Sequence, residues 1–587
     1  MSFVKRYLVF LAMCAVLAVG ILFTSEAQLT GASSCSSLIG LSLPDTTIIS
    51  ATEMTAPFVT TVATNSAPTF TVPGPFPFCL IRAKLTPTSD SNIQVEVWLP
   101  SPTKWNGKFV GLGNGGLTGA IRHASMVRPL WSGYAVANSD LGHPGSNASF
   151  AFGHPEKLID YAHRADHLTA MMAKAVVRAY YGAAPRLSYF HGCSNGGHQG
   201  LMEAQRYTDD YDGIIAGAPW NQWTHQIIEF ISRTMALEQI NRAKLPLITS
   251  AVVAQCGGRD GGLSTDGYLN DPRDCHFKPR ALECKGADET TCLTAQEVKA
   301  VERIYEGPRN PETGRSLFPG FERGSEFGWS GLGAFVNSLF QNMVYESNPT
   351  WDYHTFNFSS DVAFFDTKLA GLLNSNSPDL RAFEARGGKL ISFHGWIDTT
   401  LEPRNTVNYY NSVVAVTGGG LDLSNTRRKG NKHDDDEDDD DIHGRREALE
   451  RTQDFYRLFM APGMSHCRGG IGPNDIGQTG TPDAHVGAGF PPIDPDHDLL
   501  AALDRWVEHG IAPRKLIASH FTNGVLDRAR PLCPYPQVAH YRGKGDPNDS
   551  ASFVCVNDWD DFKRDFSHVL KNIRSAVKHG ELDNLPN

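Results

Sequence analysis

Short apolar runs recur along the chain, separated by longer amphipathic stretches, which is the pattern of an α/β sheet protein. Such runs predict strands at Phe109–Leu112, Tyr134–Ala137, Leu187–Phe190, Gly213–Ala216, Leu390–Phe393 and Arg457–Met460. The stretches between them predict helices over Ala165–Tyr180 and Leu499–His509, the second closed by Gly510 as a C-cap. Between the fourth and fifth strands the pattern breaks. Residues 223–377 hold Cys256, Cys275, Cys284 and Cys292 among many glycines, prolines and tryptophans. This region reads as an inserted lid domain that divides a catalytic domain into residues 28–222 and 378–587.

Composition adds the compartment and removes some partners. The 587 residues exceed one ordinary core, which fits a core with an insertion. The net charge of -11 is concentrated: the acidic run 434–441 contributes 8 negative charges, leaving -11 + 8 = -3 elsewhere. Neither a nucleic-acid nor an anionic-membrane partner is expected from so even a remainder. The surrounding segment 427–446 is low in complexity and dense in like charges, and is expected to be a disordered acidic loop. At the N-terminus Lys5 and Arg6 precede an apolar run from Tyr7 to Phe23, followed by Ser25-Glu26-Ala27. Residues 1–27 therefore read as a signal peptide with Gln28 as the mature start, the rival being an uncleaved anchor. Of 11 cysteines Cys14 leaves with that segment, so 11 - 1 = 10 remain, an even number that suits disulfides in a secreted (extracellular or periplasmic) protein. No Cys-x-x-Cys occurs to suggest zinc.

Gly192-Cys193-Ser194-Asn195-Gly196-Gly197 fits G-x-S-x-G, between a predicted strand and a predicted helix start. A serine in that turn needs glycine neighbours, and the helix N-terminus favours negative charge beside it. Its hydroxyl is a weak nucleophile and needs a base oriented by a carboxylate, in the chain order Ser, acid, His. Asp398 follows a strand in His394-Gly395-Trp396-Ile397-Asp398, and His466 follows a later strand in Ser465-His466-Cys467. Glu402 is the rival acid, and His191, His198 and His394 are the other histidines near these motifs. Cys193 precedes the serine and Cys467 follows the histidine, so contact between Ser194 and His466 would put the two sulfurs within bridging distance. The oxyanion hole is expected from the N–H groups of Asn195 and of a glycine in Gly113–Gly119, Gly116 being preferred to Gly115.

These motifs, with Gly217-Ala218-Pro219 and the pair Cys533 and Cys555, resemble the tannase and feruloyl esterase family, which includes hydrolases of polyester monomers. The resemblance implies an α/β-hydrolase core with a large inserted lid. It also implies the pairings Cys35–Cys79, Cys193–Cys467, Cys256–Cys275, Cys284–Cys292 and Cys533–Cys555. The family lid holds a structural calcium in Cys-Asp-x-x-Asp-Gly-x-x-Asp-Gly. The matching stretch here starts at Cys256 but has Gly257 for the first aspartate and two extra residues before the last pair. Asp260 and Asp266, with carbonyls of Gly262 and Tyr268, are the calcium ligands it would offer; losing a carboxylate weakens such a site.

The expected activity is a serine esterase acting on a small-molecule aromatic ester through an acyl-enzyme, with no cofactor needed for the chemistry. Trp220, Trp223, Trp329, Trp351, Phe356 and Phe358 are candidate walls for an aromatic acyl group, though at least half are expected to be core. Alternatives are a terephthalate-monoester hydrolase, another type of hydrolase such as a lipase or peptidase, or a silent binding protein on the same scaffold.

Overall fold

The computed structural model describes residues 33–55, 58–60, 70–72, 77–286, 290–346, 348–419, 439–478 and 491–579. The N-terminal segment 1–27 lies outside them. Among the described residues no helix is long and apolar enough to cross a membrane.

Nine strands form one sheet. They are β1 (Thr46–Met54), β2 (Phe78–Leu85), β3 (Ile93–Pro100), β4 (Lys108–Leu112), β5 (Ala135–Ser139), β6 (Leu187–Cys193), β7 (Gly213–Gly217), β8 (Lys389–Gly395) and β9 (Tyr456–Ala461). Their spatial order is β1-β2-β3-β5-β4-β6-β7-β8-β9. The strands from β5 to β9 run parallel, and β1 to β3 join antiparallel at the β5 edge. All six predicted strands are present in this parallel part.

The period of two along each strand sorts residues to opposite faces. Phe109, Phe190, Ile214 and Leu390 join one apolar cluster, while Val110, Tyr189, Ile215 and Ile391 join the other. The first face is covered by α1 (Ala165–Tyr181), α2 (Asn195–Arg206) and α6 (Pro403–Val416), and the second by α8 (Leu499–His509). Asp498 caps α8 by accepting from Ala501 N at 2.9 Å, and Gly510 ends it at φ 69°. This is a three-layer α/β-hydrolase core, in which both buried faces explain why the strands read as continuous apolar runs.

Between β7 and β8 the described residues form helices and no strand of the sheet. They include α3 (Trp223–Leu237), α4 (Leu245–Cys256) and α5 (Ala295–Glu306). The insertion divides in two by packing. Leu237, Ile248, Val252, Phe277, Val301 and Trp329 make a separate lid core, whereas Leu339, Phe340, Phe365 and Leu373 merge with the main core.

The expected disordered loop 427–446 falls mostly outside the described residues. Residues 427–438 lie outside the described set, but 439–446 begin the helix α7 (Asp439–Gln453). Ala448 and Leu449 are buried, and the Arg445 guanidinium stacks 5.8 Å from the Phe566 ring of α9 (Trp559–His579).

Candidate active site

β6 ends at Cys193, and Ser194 is the residue before α2, at φ 65° and ψ -124°. That left-handed backbone is strained for a serine and is over-determined by its surroundings. Ser194 N donates to Gly217 O at 3.0 Å, and Ser194 O accepts from His198 N at 3.0 Å and Trp220 N at 3.2 Å. A Cβ at Gly192 would lie 2.3 Å from Gly196 O, and one at Gly197 2.3 Å from Gly217 O. The turn therefore closes only with glycine at both positions.

Asp398 lies just beyond β8 and is fully buried. Its Oδ1 accepts from the N–H groups of Thr400 at 2.7 Å and Leu401 at 3.0 Å. Its Oδ2 accepts from His466 Nδ1 at 2.7 Å and His394 Nε2 at 3.0 Å. Burial alone would raise this carboxyl, but the charge and hydrogen bond of His466, with those of His394, outweigh burial and hold it well below the usual carboxylate range. His466 keeps about a quarter of its side chain exposed (24%), so the ring is open to a reactant. With Nδ1 committed to Asp398, Nε2 is left to act as an acceptor.

The loops that carry Asp398 and His466 are zipped together by backbone. Trp396 N donates to Ala461 O at 2.9 Å, and Ile397 N to Met464 O at 3.2 Å. The Cys193–Cys467 bridge, with Cα atoms 6.0 Å apart, then ties the base loop to the nucleophile turn across 274 residues of sequence. Closing a loop of that length stabilises by about 5 kcal/mol in the chain-entropy account. The other four pairs are Cys35–Cys79, Cys256–Cys275, Cys284–Cys292 and Cys533–Cys555.

The rival residues have other places. Glu402 is buried beside Glu229 and accepts from Gln226 Nε2 at 2.6 Å, so it does not meet His466. His198 Nε2 donates to Leu373 O at 2.7 Å, and burial pushes its ring down to about 4. Burial pushes His191 down to about 3. His394 is no base here: its Nε2 donates to the acid, and its Nδ1 is 2.7 Å from Thr406 Oγ1. Its place four residues before Asp398, at the end of β8, is the sequence signal for this contact. Arg233 was missed altogether. From α3 it donates to Thr399 O at 2.9 Å and Ser330 O at 2.8 Å, clamping the acid loop to the insertion, and no local motif marks it.

Gly116 stands at φ 54° with room around it, and Asn195 opens α2 fully buried. The Gly116 loop is held by Asn114, whose N–H donates to Gln199 Oε1 at 2.8 Å and whose Nδ2 donates to Ser139 O at 2.9 Å. Of the six candidate wall aromatics, Trp329 belongs to the lid core, while Trp220, Trp223, Trp351 and Phe356 belong to the main core. Trp220 alone is joined to Ser194 by a backbone hydrogen bond.

The residues offered for calcium do not fit it. Asp260 Oδ2 accepts from Asn270 N (2.5 Å) and Asp271 N (3.0 Å), and its Oδ1 from Gly262 N (3.3 Å). Asp266 Oδ1 accepts from Arg530 Nη2 at 3.0 Å. A guanidinium thus holds the carboxylate a metal would need, and the other carboxylate serves its own backbone. Tyr268 packs under Arg528, whose guanidinium is 5.9 Å from the ring.

The family model described as tannase and feruloyl esterase matches residues 79–556. An uncharacterized esterase of Xanthomonas campestris pv. campestris is 38% identical, over 92% of this chain and 93% of that protein. A probable feruloyl esterase B-2 of Aspergillus flavus is 31% identical, over 76% of this chain and 80% of its own length. The crystal structure of feruloyl esterase B from Aspergillus oryzae superposes with a TM-score of 0.77 at 27% identity, covering 89% of this chain and 99% of that one. Tannin acyl hydrolase from Aspergillus niger shares the fold, with a TM-score of 0.67 at 21% identity, covering 90% and 94%.

Proposed function

The chain belongs to the tannase and feruloyl esterase family and is a carboxylic ester hydrolase, and from that premise we propose that it is a secreted serine esterase cleaving esters of aromatic, phenolic acids. The observation that carries the reading is the His466–Asp398 pair (2.7 Å), tied to the Ser194 turn through Cys193–Cys467. Ser194 Oγ attacks the ester carbonyl carbon as His466 Nε2 takes its proton. Asp398 stabilises the resulting imidazolium without accepting the proton. The N–H groups of Asn195 and Gly116 receive the oxyanion, each worth about 3 kcal/mol at the transition state. His466 then returns the proton to the departing alcohol, and water, activated by the same nitrogen, hydrolyses the acyl-enzyme. Each proton and charge in this sequence has a residue, so no cofactor is called for.

The aromatic acyl group is favoured by the A. flavus relative's name. Hydrolysis of methyl ferulate, methyl gallate and a terephthalate monoester, beside a triglyceride and a peptide, tests the substrate class. Turnover of one of the aromatic esters at least a hundredfold above the controls is expected; preference for the triglyceride or peptide would overturn it. Ser194→Ala should abolish turnover with folding intact, and retained turnover would remove the mechanism. Export belongs to the same proposal because disulfides persist in oxidising compartments. N-terminal sequencing of the exported protein should begin at Gln28, and retention of residues 1–27 would contradict it.

A further inference from the structure

The proposed oxyanion donors sit on different elements, Gly116 on the loop after β4 and Asn195 at the start of α2, and something must hold their spacing. A single helical run from Pro155 to Tyr181 passes beneath both. It is interrupted over Asp160–Arg164 by one π-helical turn. Such a turn inserts an extra residue and re-aims the side chains on it, and it recurs at functional sites. Within it Tyr161 is fully buried, its ring 5.4 Å from Phe150 and 5.9 Å from His143.

The Tyr161 hydroxyl lies 3.1 Å from Gly116 O and 3.1 Å from Asn195 Oδ1. A phenol carries one proton and cannot donate to two acceptors at once. At the same place Asn195 Nδ2 is buried and has no partner. A half-turn of the amide exchanges its oxygen and nitrogen and removes both difficulties, since amide orientation is decided by the hydrogen bonds it completes.

We infer that Asn195 Nδ2 donates to the Tyr161 oxygen and Tyr161 donates to Gly116 O, so that Tyr161 is the positioning residue that fixes the two oxyanion donors relative to each other. The chain amide–phenol–carbonyl runs in one direction, so each hydrogen bond polarises the next. It also explains why the residue after the nucleophile carries a buried amide, although only its backbone N–H is needed by the chemistry. Gly116 has no side chain to pack and stands at φ 54°, and among the described residues the phenol is the side chain that anchors its carbonyl.

This rests on the reading of Asn195 and Gly116 as oxyanion donors, and the test separates the two. Tyr161→Phe and Asn195→Ala each remove one side-chain link and keep both backbone N–H groups. With a methyl ester that the native protein turns over, each should lower kcat about tenfold, part of the 10²–10³ lost with a whole donor. KM should stay within about twofold, because the links act on the transition state. A boronic acid that forms a tetrahedral adduct with the serine should lose affinity in parallel with kcat, while the free product acid binds as before. The double variant should be no slower than the slower single one, because both break one chain. Native kcat in Tyr161→Phe, equal losses for boronate and product acid, or multiplying losses in the double variant would each overturn the inference. Should Tyr161→Phe fail to fold, Asn195→Ala decides alone: the tenfold fall in kcat supports the inference and native kcat overturns it. Ser194→Ala run alongside distinguishes the failures. Turnover there removes the whole reading of the site, whereas an inert Ser194→Ala with native Tyr161→Phe removes only the role of Tyr161.

Discussion

Asp398 accepts four hydrogen bonds from two histidines and two backbone amides, and the second histidine should tune the first. His394 Nε2 donates to the same oxygen as His466, drawing carboxylate charge away from it. Removing that donor by His394→Phe takes away one of the two hydrogen bonds on the Asp398 oxygen that meets His466, so kcat/KM is expected to fall. His394→Gln, which restores an N–H donor, is expected to recover part of that loss. Equal losses in His394→Phe and His394→Gln would show a packing role alone. Elsewhere, burial pushes the Asp166 carboxyl up to about 8. A raised folded value means stability that is complete below the unfolded value near 4 and is lost as pH rises through about 8. Asp166→Asn titrates in neither state. Its melting temperature should fall less than the native one between pH 5 and pH 9, and parallel curves would refute that. Neither effect was legible in the sequence, because His394 and Asp166 acquire their partners only when α6 and α2 pack against them.

At the scale of elements, the strands were the most legible part. β4 to β9 are buried on both faces and so leave runs of apolar residues that differ from all their surroundings. The antiparallel strands β1 to β3 were not among the predicted strands. The hairpin Leu516–Thr522/Val525–Leu532 was missed as well, because most of its residues are partly or fully exposed and leave no continuous apolar run. That hairpin brings Arg530 to Asp266, each about 7% exposed. Breaking a buried pair strands a charge, so Arg530→Gln is expected to cost about 3 kcal/mol in urea unfolding. Since the guanidinium holds the carboxylate, a chelator such as EDTA should leave the native melting temperature unchanged. A fall of several degrees on chelation, reversed by calcium, would show that the loop holds metal after all.

For the whole molecule, the Cys193–Cys467 bridge spans 274 residues and encloses the insertion, β8 and β9. Replacing both cysteines by serine should reduce unfolding free energy by up to about 5 kcal/mol and should slow turnover by more than the melting shift explains. Equal stability and turnover in the double variant would contradict this. Chain order and residue type by themselves determined the α/β-hydrolase core, the glycine-flanked serine turn, and Asp398 and His466 as the residues to compare. Those signals are local: a strained turn needs glycine, and a doubly buried strand needs apolar residues wherever it lies. Tertiary structure alone decided that His394 joins the acid, that Tyr161 reaches both Gly116 and Asn195, and that Arg530 takes the carboxylate offered to calcium. Those contacts join residues from 4 to 264 positions apart whose meeting depends on packing directions that no local pattern encodes.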